Sequence, residues 1–228
     1  MSDHTEMLPD PLPAEPLTLA QAWLARAWSE RLQPNPNAMV LATTTPEGRP
    51  SARVVLCKDI QPSPGFVVFY TNYESRKGHE LAANPRAAVV MHWDHLHRQI
   101  RIEGCVVKAP VEDSDAYFAS RAVESRLGAW ASQQSQPLAS RQQLVDAVDA
   151  AAKRFGVSAG VRDRTAGKEP QVPRPAHWGG FRLWADAVEL WVEGDARIHD
   201  RARWTRTLQP RGDLSFDTGP WTRTRLQP

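Results

Sequence analysis

Four stretches of the chain gather side chains that could hold an anion. In YTNYESRKG, residues 70–78, a β-type run meets a helix start where Ser75 can cap and Arg76 and Lys77 fall in the first turn. Helix N-terminal N–H groups and two cations make an anion site, although a capped surface helix with two solvated charges fits the same residues. In RVVLCK, Arg53 and Lys58 flank an apolar strand. A regular strand points them to opposite faces, so one ligand meets both only if the strand bulges or each touches a different part of it. In RIHDR, Arg197, His199 and Arg201 alternate, and an extended backbone projects all three to one side. Like charges so placed repel unless a phosphate or carboxylate lies between them, or unless the strand simply faces water. In YFASRAVES, Tyr117, Arg121 and Ser125 recur every fourth residue, which on a continuous helix lines one face with the hydroxyl and guanidinium groups a phosphate accepts.

Other candidates are weaker. His92, His95 and His97 lie close together, but two fall in an expected turn and no Cys or Glu completes a tetrahedral set, so no metal is expected. Cys57 and Cys105 sit inside expected strands and read as core thiols. Neither G-x-G-x-x-G nor G-x-x-x-x-G-K-[ST] occurs, which leaves side chains to hold any phosphate.

The elements that must position these groups are legible from period and punctuation. Residues 1–16, with Pro9, Pro11, Pro13 and Pro16 among acidic residues, read as an extended, poorly ordered arm, with order beginning near Thr18. Ala20, Trp23, Leu24, Ala27 and Trp28 share a helical face, with Thr18 as its N-cap. Short β-type runs follow at 39–44, 53–58, 66–71, 87–93 and 98–108, and again at 181–193, 197–207 and 221–226, with a hairpin turn at Gly194 and Asp195. Helices are expected over 75–83, 112–130 and 140–155. Many short strands in both halves favour a closed or split antiparallel barrel over a doubly wound sheet. Residues 17–228 are expected as one domain, interrupted by a Gly-, Pro- and charge-rich mobile loop over 156–172.

The bulk numbers exclude several classes of function. Across 228 residues, 28 Lys+Arg stand against 26 Asp+Glu, so no bulk field recruits nucleic acid or a membrane surface. No apolar run approaches the roughly 20 residues needed to span a bilayer, and the opening residues lack a secretory signal, so a cytoplasmic protein is expected. Nine Trp suggest an aromatic wall for a flat ligand, or a subunit interface.

Taken in order, RVVLCK, YTNYESRKG, RQIRIEG, YFASRAVESRLGAWASQQSQ, VPRPAHWGGFR and RIHDR resemble the pyridoxine/pyridoxamine 5'-phosphate oxidase family over nearly the whole chain. The resemblance implies a mainly β fold with flanking helices, an FMN-binding split antiparallel β-barrel, working as a homodimer with sites at the subunit interface. It implies FMN contacts from Arg53, Val54, Val55, Leu56, Cys57, Lys58, Tyr70, Thr71, Arg76, Lys77, Gln99, Gln134, Ser135, Trp178 and Arg201. Substrate contacts are implied for Lys58, Tyr117, Arg121, Ser125, Arg197 and His199, with Arg197 and His199 the catalytic pair. The implied activity is that of a pyridoxal 5'-phosphate synthase. C4' of pyridoxamine or pyridoxine 5'-phosphate is oxidised through FMN, and O2 takes the electrons to give H2O2. Two features depart from the family pattern: Val192 stands where Gln is expected, and 157–171 looks like an insertion. No Lys or Arg precedes Arg26, so a basic lid over the site is not expected. The alternatives are the related flavin oxidase of phenazine biosynthesis and a non-catalytic flavin- or pyridoxal-phosphate-binding module.

Overall fold

The computed structural model describes residues 6–157 and 171–228. The expected mobile loop therefore falls largely outside the described residues. In chain order the elements are α1 (Leu17–Glu30), β1 (Ala38–Thr44), β2 (Pro50–Leu56), β3 (Asp59–Gln61), β4 (Phe66–Asn72), α2 (Arg76–Ala83), β5 (Arg86–Trp93) and β6 (Arg98–Lys108). Then come α3 (Val111–Ala119), α4 (Val123–Ala131), α5 (Arg141–Arg154), β7 (Trp178–Val192), β8 (Asp200–Thr205), β9 (Leu208–Arg211), β10 (Ser215–Thr218) and β11 (Thr222–Leu226). The architecture is mainly β with flanking helices, and it groups into two compact units.

The first unit holds the described residues up to Phe69, Glu80–Lys108 and Phe181–Pro228. Its sheet runs β11-β8-β7-β6-β5-β1-β2, with β4 paired to β3 and β7. Strand β6 shows why the sequence folds so: Arg98, Ile100, Ile102, Gly104 and Val106 are buried, and the residues between them face outward, the period of two of a half-buried strand. Strand β7 is buried at almost every position, the pattern of a strand covered on both faces. Met39, Leu41, Phe69, Met91, Trp93, Ile100, Leu183 and Trp204 are at most 1 % exposed. Each contributes about 1.5–3 kcal/mol by leaving water.

Helix α1 buries Leu17, Ala20, Trp23, Leu24 and Ala27, whereas Trp28, expected on that face, is 44 % exposed. Thr18 is not the cap. The helix starts at Leu17, with Pro16 in the cap position, and the Glu15 carboxylate accepts the amides of Leu17 at 2.5 Å and Thr18 at 2.8 Å. Residues 6–16, expected as part of a poorly ordered arm, make specific contacts. Leu8 is 5 % exposed and its amide donates to Asp200 Oδ2 at 2.9 Å. The Trp204 indole donates to the Pro13 carbonyl at 2.8 Å, Arg225 to that of Pro9 at 3.2 Å, and Arg98 to that of Glu6. Prolines lack donors but keep their carbonyls, and here fixed Trp and Arg side chains use them.

The second unit holds Tyr70–His79 and the described residues of Ala109–Gly180. Phe118, Leu127, Ala151, Val172 and Trp178 form its core. The single helix expected over 112–130 is two helices. Ser120 Oγ donates to the Tyr117 carbonyl at 2.8 Å, and Ala122 is extended (φ −54°, ψ 142°), so the chain breaks between α3 and α4.

The register of β6 on β7 shifts between Glu103 and Gly104. A Cβ on Gly104 would lie 1.8 Å from the Trp184 carbonyl oxygen. Gly104→Ala is therefore expected to cost about 1–3 kcal/mol, as overpacking against backbone does, read as a lower urea midpoint at unchanged slope.

Candidate functional site

In the second unit, β4 runs into α2 through a turn tied at Asn72. Ser75 Oγ donates to the Asn72 carbonyl at 2.7 Å and accepts the Gly78 amide at 3.3 Å, which makes Ser75 the helix cap. Gly78 is required, since a Cβ there would lie 1.9 Å from the Tyr73 carbonyl. Lys77 is 8 % exposed, and its ammonium donates to Thr71 Oγ1 at 3.2 Å, Ser75 Oγ at 3.1 Å and Gln134 Oε1 at 2.6 Å. Thr71 also donates to Gln134 at 3.2 Å. Three residues expected to contact a cofactor thus meet at one helix N-terminus, beside Arg76, which is exposed. Two cations at the positive end of a helix dipole oppose it, and an anion relieves both. Ser135, also expected, follows in a left-handed turn (φ 73°) that lines a cavity of about 320 Å3 with Gln134.

An aromatic stack stands in the same unit. Tyr70 and Tyr117 are 4.0 Å apart at 18°, and Tyr70 and Trp178 are 5.6 Å apart at 11°. The Arg121 guanidinium sits 4.6 Å from the Trp178 ring centre, a cation–π contact. Its Nη1 is buried and has no hydrogen-bond partner among the described residues. Desolvation pulls the Arg121 pKa down, partly countered by Tyr117. Trp178 is held by its neighbours: Arg174 donates to its carbonyl at 2.7 Å and pairs with Asp115 at 2.6 Å. At 7 % exposure Trp178 is a core ring. Tyr117 and Arg121 come together as expected, but the helix break removes the basis for placing Ser125 on their face. Ser125 is exposed in the first turn of α4.

In the first unit, Arg53 reaches from β2 to Thr43 Oγ1 and Ser51 Oγ, each at 2.5 Å, to the Leu41 carbonyl at 3.2 Å, and to Glu80 at 3.2 Å. Glu80, 4 % exposed, gathers the same two hydroxyls. Val54 is 64 % exposed, Val55 and Leu56 are half-buried, Cys57 is buried, and Lys58 is exposed. The strand stops at Leu56, where Asn37 takes over the main-chain bonds of Cys57, so strict alternation does not carry through to Lys58.

Cross-strand register assembles a row that no linear motif contains: His92 on β5, Gln99 on β6, Trp191 on β7 and Arg201 on β8 are successive partners. Gln99 and Arg201 were expected at a site. Trp191 was missed, because its only signal is this register. The His199 ring lies 4.7 Å from the Trp191 ring, and His199 Nδ1 accepts the Gly194 amide at 3.2 Å. The expectation that Arg197, His199 and Arg201 project from one extended strand is corrected. Strand β8 begins at Asp200, and Ala196 (φ 51°) and Arg197 (φ 66°) sit in a left-handed turn after Gly194, with Arg197 exposed. His97 pairs with Glu193 at 2.5 Å, which holds that carboxyl below its usual range.

Comparison with known proteins defines the class. PhzG from Burkholderia lata 383, solved with tetrahydrophenazine-1-carboxylic acid, matches with a TM-score of 0.78 at 32 % identity, over 96 % of this chain and 95 % of that one. A pyridoxamine 5'-phosphate oxidase-related, FMN binding protein from Nostoc punctiforme PCC 73102 matches in fold, with a TM-score of 0.65 at 14 % identity over 95 % of this chain and all of that one. The fold is the split antiparallel β-barrel of FMN-binding proteins. The family model described as pyridoxamine 5'-phosphate oxidase matches residues 25–155, and the one described as the pyridoxine 5'-phosphate oxidase C-terminal dimerisation region matches 178–228. Pyridoxine/pyridoxamine 5'-phosphate oxidases of Gluconobacter oxydans (strain 621H) and Novosphingobium aromaticivorans are 46 % and 47 % identical to it. These matches cover 95 % and 94 % of this chain and 96 % and 94 % of theirs. The chain belongs to the pyridoxamine 5'-phosphate oxidase family. Among its described residues, no helix is long and apolar enough to cross a membrane.

Burial pushes the Cys57 thiol up to about 12, against an ordinary 9.0, and raises that of Cys105 as well. Cys57 therefore contributes stability that is whole below about pH 9 and is lost as pH rises toward 12. Iodoacetamide at pH 8 is expected to leave Cys57 unmodified in the folded protein and to alkylate it in guanidinium, as peptide mapping would reveal.

Proposed function

We propose that the protein is an oxidoreductase that oxidises pyridoxamine or pyridoxine 5'-phosphate at C4' to pyridoxal 5'-phosphate with bound FMN, acting as a homodimer. The carrying observation is the Lys77 cluster, a buried ammonium that converges with Thr71, Ser75 and Gln134 at a helix N-terminus, where backbone N–H groups and a cation together fit a phosphoryl group. FMN, when bound, supplies the two-electron acceptor for the substrate and returns the electrons to O2, giving H2O2; from the amine, water then supplies the aldehyde oxygen at C4' and ammonia leaves, whereas the alcohol gives the aldehyde directly. Its contacts are proposed to be Arg53 to Lys58, Tyr70, Thr71, Arg76, Lys77, Gln99, Gln134, Ser135, Trp178 and Arg201. The dimer is supported by the match of 178–228 to a dimerisation region.

Arg121 is proposed to take the substrate phosphate. Its buried Nη1 lacks an acceptor among the described residues, a cost of about 1–3 kcal/mol that an oxyanion removes. Tyr117, stacked on Tyr70, offers a hydroxyl beside it, and Ser125 and Lys58 complete the proposed set. Arg197, on an exposed turn, is proposed to cover the pyridine ring and steer C4'. His199 is proposed to bind the substrate and handle its proton. With Nδ1 engaged by Gly194, the neutral ring presents Nε2–H as a donor.

A second reading has one specific support, the likeness to PhzG, and would give the chain a tricyclic acid as substrate. The buried Arg121 Nη1, with no acceptor among the described residues, supports the anionic B6 ester. Anaerobic addition of pyridoxamine 5'-phosphate to the yellow holoprotein is expected to bleach the flavin, and tetrahydrophenazine-1-carboxylic acid is not; the reverse pattern sinks the proposal. Arg121→Met is expected to raise KM for the phosphorylated substrate about tenfold or more, and Arg197→Met to lower kcat/KM by about ten- to a thousandfold, in steady-state assays of H2O2 release.

A further inference from the structure

Glu189 lies in the middle of β7, is 6 % exposed, and has no part in the reaction proposed above. Its carboxylate takes three charge-assisted hydrogen bonds: Arg101 Nη1 at 3.0 Å onto Oε2, and Arg201 Nε at 3.1 Å and Nη2 at 2.8 Å onto Oε1. Register brings them together, since Arg101 is the cross-strand partner of Glu189 on β6 and Arg201 follows diagonally on β8. Arg101 also pairs with Glu103 at 3.0 Å, and Glu103 with Arg203 at 3.3 Å. Charges thus alternate along one run, Arg203, Glu103, Arg101, Glu189, Arg201, and Arg201 ends it. Of the two acids, Glu103 is one-third exposed, so water weakens its links, whereas those of Glu189 are shielded.

The consequence falls on Arg201. Its Nε–H and one Nη2–H go to Glu189, and one Nη1–H goes to the Gln227 carbonyl at 3.0 Å. One N–H on each Nη stays uncommitted among the described residues. A guanidinium already clamped loses little rotamer freedom when a ligand arrives, while a loose one loses much. Arg201 is also the cross-strand partner of Trp191, which in turn partners Gln99.

We propose that Glu189 is a positioning residue for the flavin: it aims the two remaining Nη–H groups of Arg201 at FMN without touching the cofactor itself. This rests on the assignment of Arg201 as an FMN contact made above. The two arginines on its carboxylate offset the repulsion a bare acid would exert on an anionic cofactor.

A double-mutant cycle tests it. The full chain, stripped of flavin, is titrated with FMN by quenching of flavin fluorescence in the wild type, Glu189→Gln, Arg201→Met and the double variant. Each single variant is expected to raise the FMN Kd about tenfold or more, and the double variant to match Arg201→Met within about twofold, since Glu189 then has nothing to aim. If Glu189→Gln has no effect, or costs the same factor with Arg201 present or absent, Glu189 is structural only and the proposal is overturned. Wild-type FMN affinity in Arg201→Met overturns the assignment of Arg201 itself, a separate result. Should Glu189→Gln not give a cooperative melt, Glu189→Asp, which withdraws the carboxylate by one methylene, takes its place in the same cycle with the same expectation.

Discussion

Side chains alternate across a strand, so a slip of one residue carries every group to the wrong face. Strand β7 is where this constraint bears hardest. It pairs with β6, β8 and β4 and is buried along most of its length, so its register is held by apolar packing at Leu183, Val188, Leu190 and Val192. The polar residues ride on that register. Glu189 meets Arg101 and Arg201, and Trp191 joins Gln99 to Arg201, because the apolar neighbours leave them no other row. The shift at Gly104 falls where no Cβ is present to meet the Trp184 carbonyl.

The second unit relies on a different device. Its cations are not paired off along a sheet. Lys77 is buried among hydroxyl and amide oxygens, and Arg121 is laid on an indole. Both arrangements fix a cation at a defined place, by hydrogen bonds in one case and by an aromatic face in the other, which is what an anion site requires. The Tyr70, Tyr117 and Trp178 rings supply the rigid backing, and Arg174 fixes the last of them from behind.

Much of this was legible before any coordinates. Short β-type runs bounded by turn signals located β1, β4, β5 and β6 almost to the residue, because each has one dry and one wetter face or is buried throughout. Local motifs also located the Ser75 cap with Lys77, since a strand end, a hydroxyl and a cation adjoin in sequence. What failed were extrapolations of regular geometry through residues that interrupt it. Ser120 ends α3 with its hydroxyl donating to the Tyr117 carbonyl, and the left-handed Ala196 and Arg197 hold the RIHDR segment out of the sheet until Asp200. The row through Trp191 and the Glu189 clamp were invisible for another reason. Their links from β6 to β7 join residues about ninety positions apart, and even the nearer links from β7 to β8 are related only by pairing register.

The opening segment is bound in an unusual way. Trp204, Arg225 and Arg98 hold it through the carbonyls of Pro13, Pro9 and Glu6, so most of the grip is on peptide oxygens. Such a fastening is blind to side-chain identity and sensitive to spacing. Most exchanges of one side chain for another between 9 and 13 keep every acceptor, whereas adding or removing a single residue would offset the whole run from its donors.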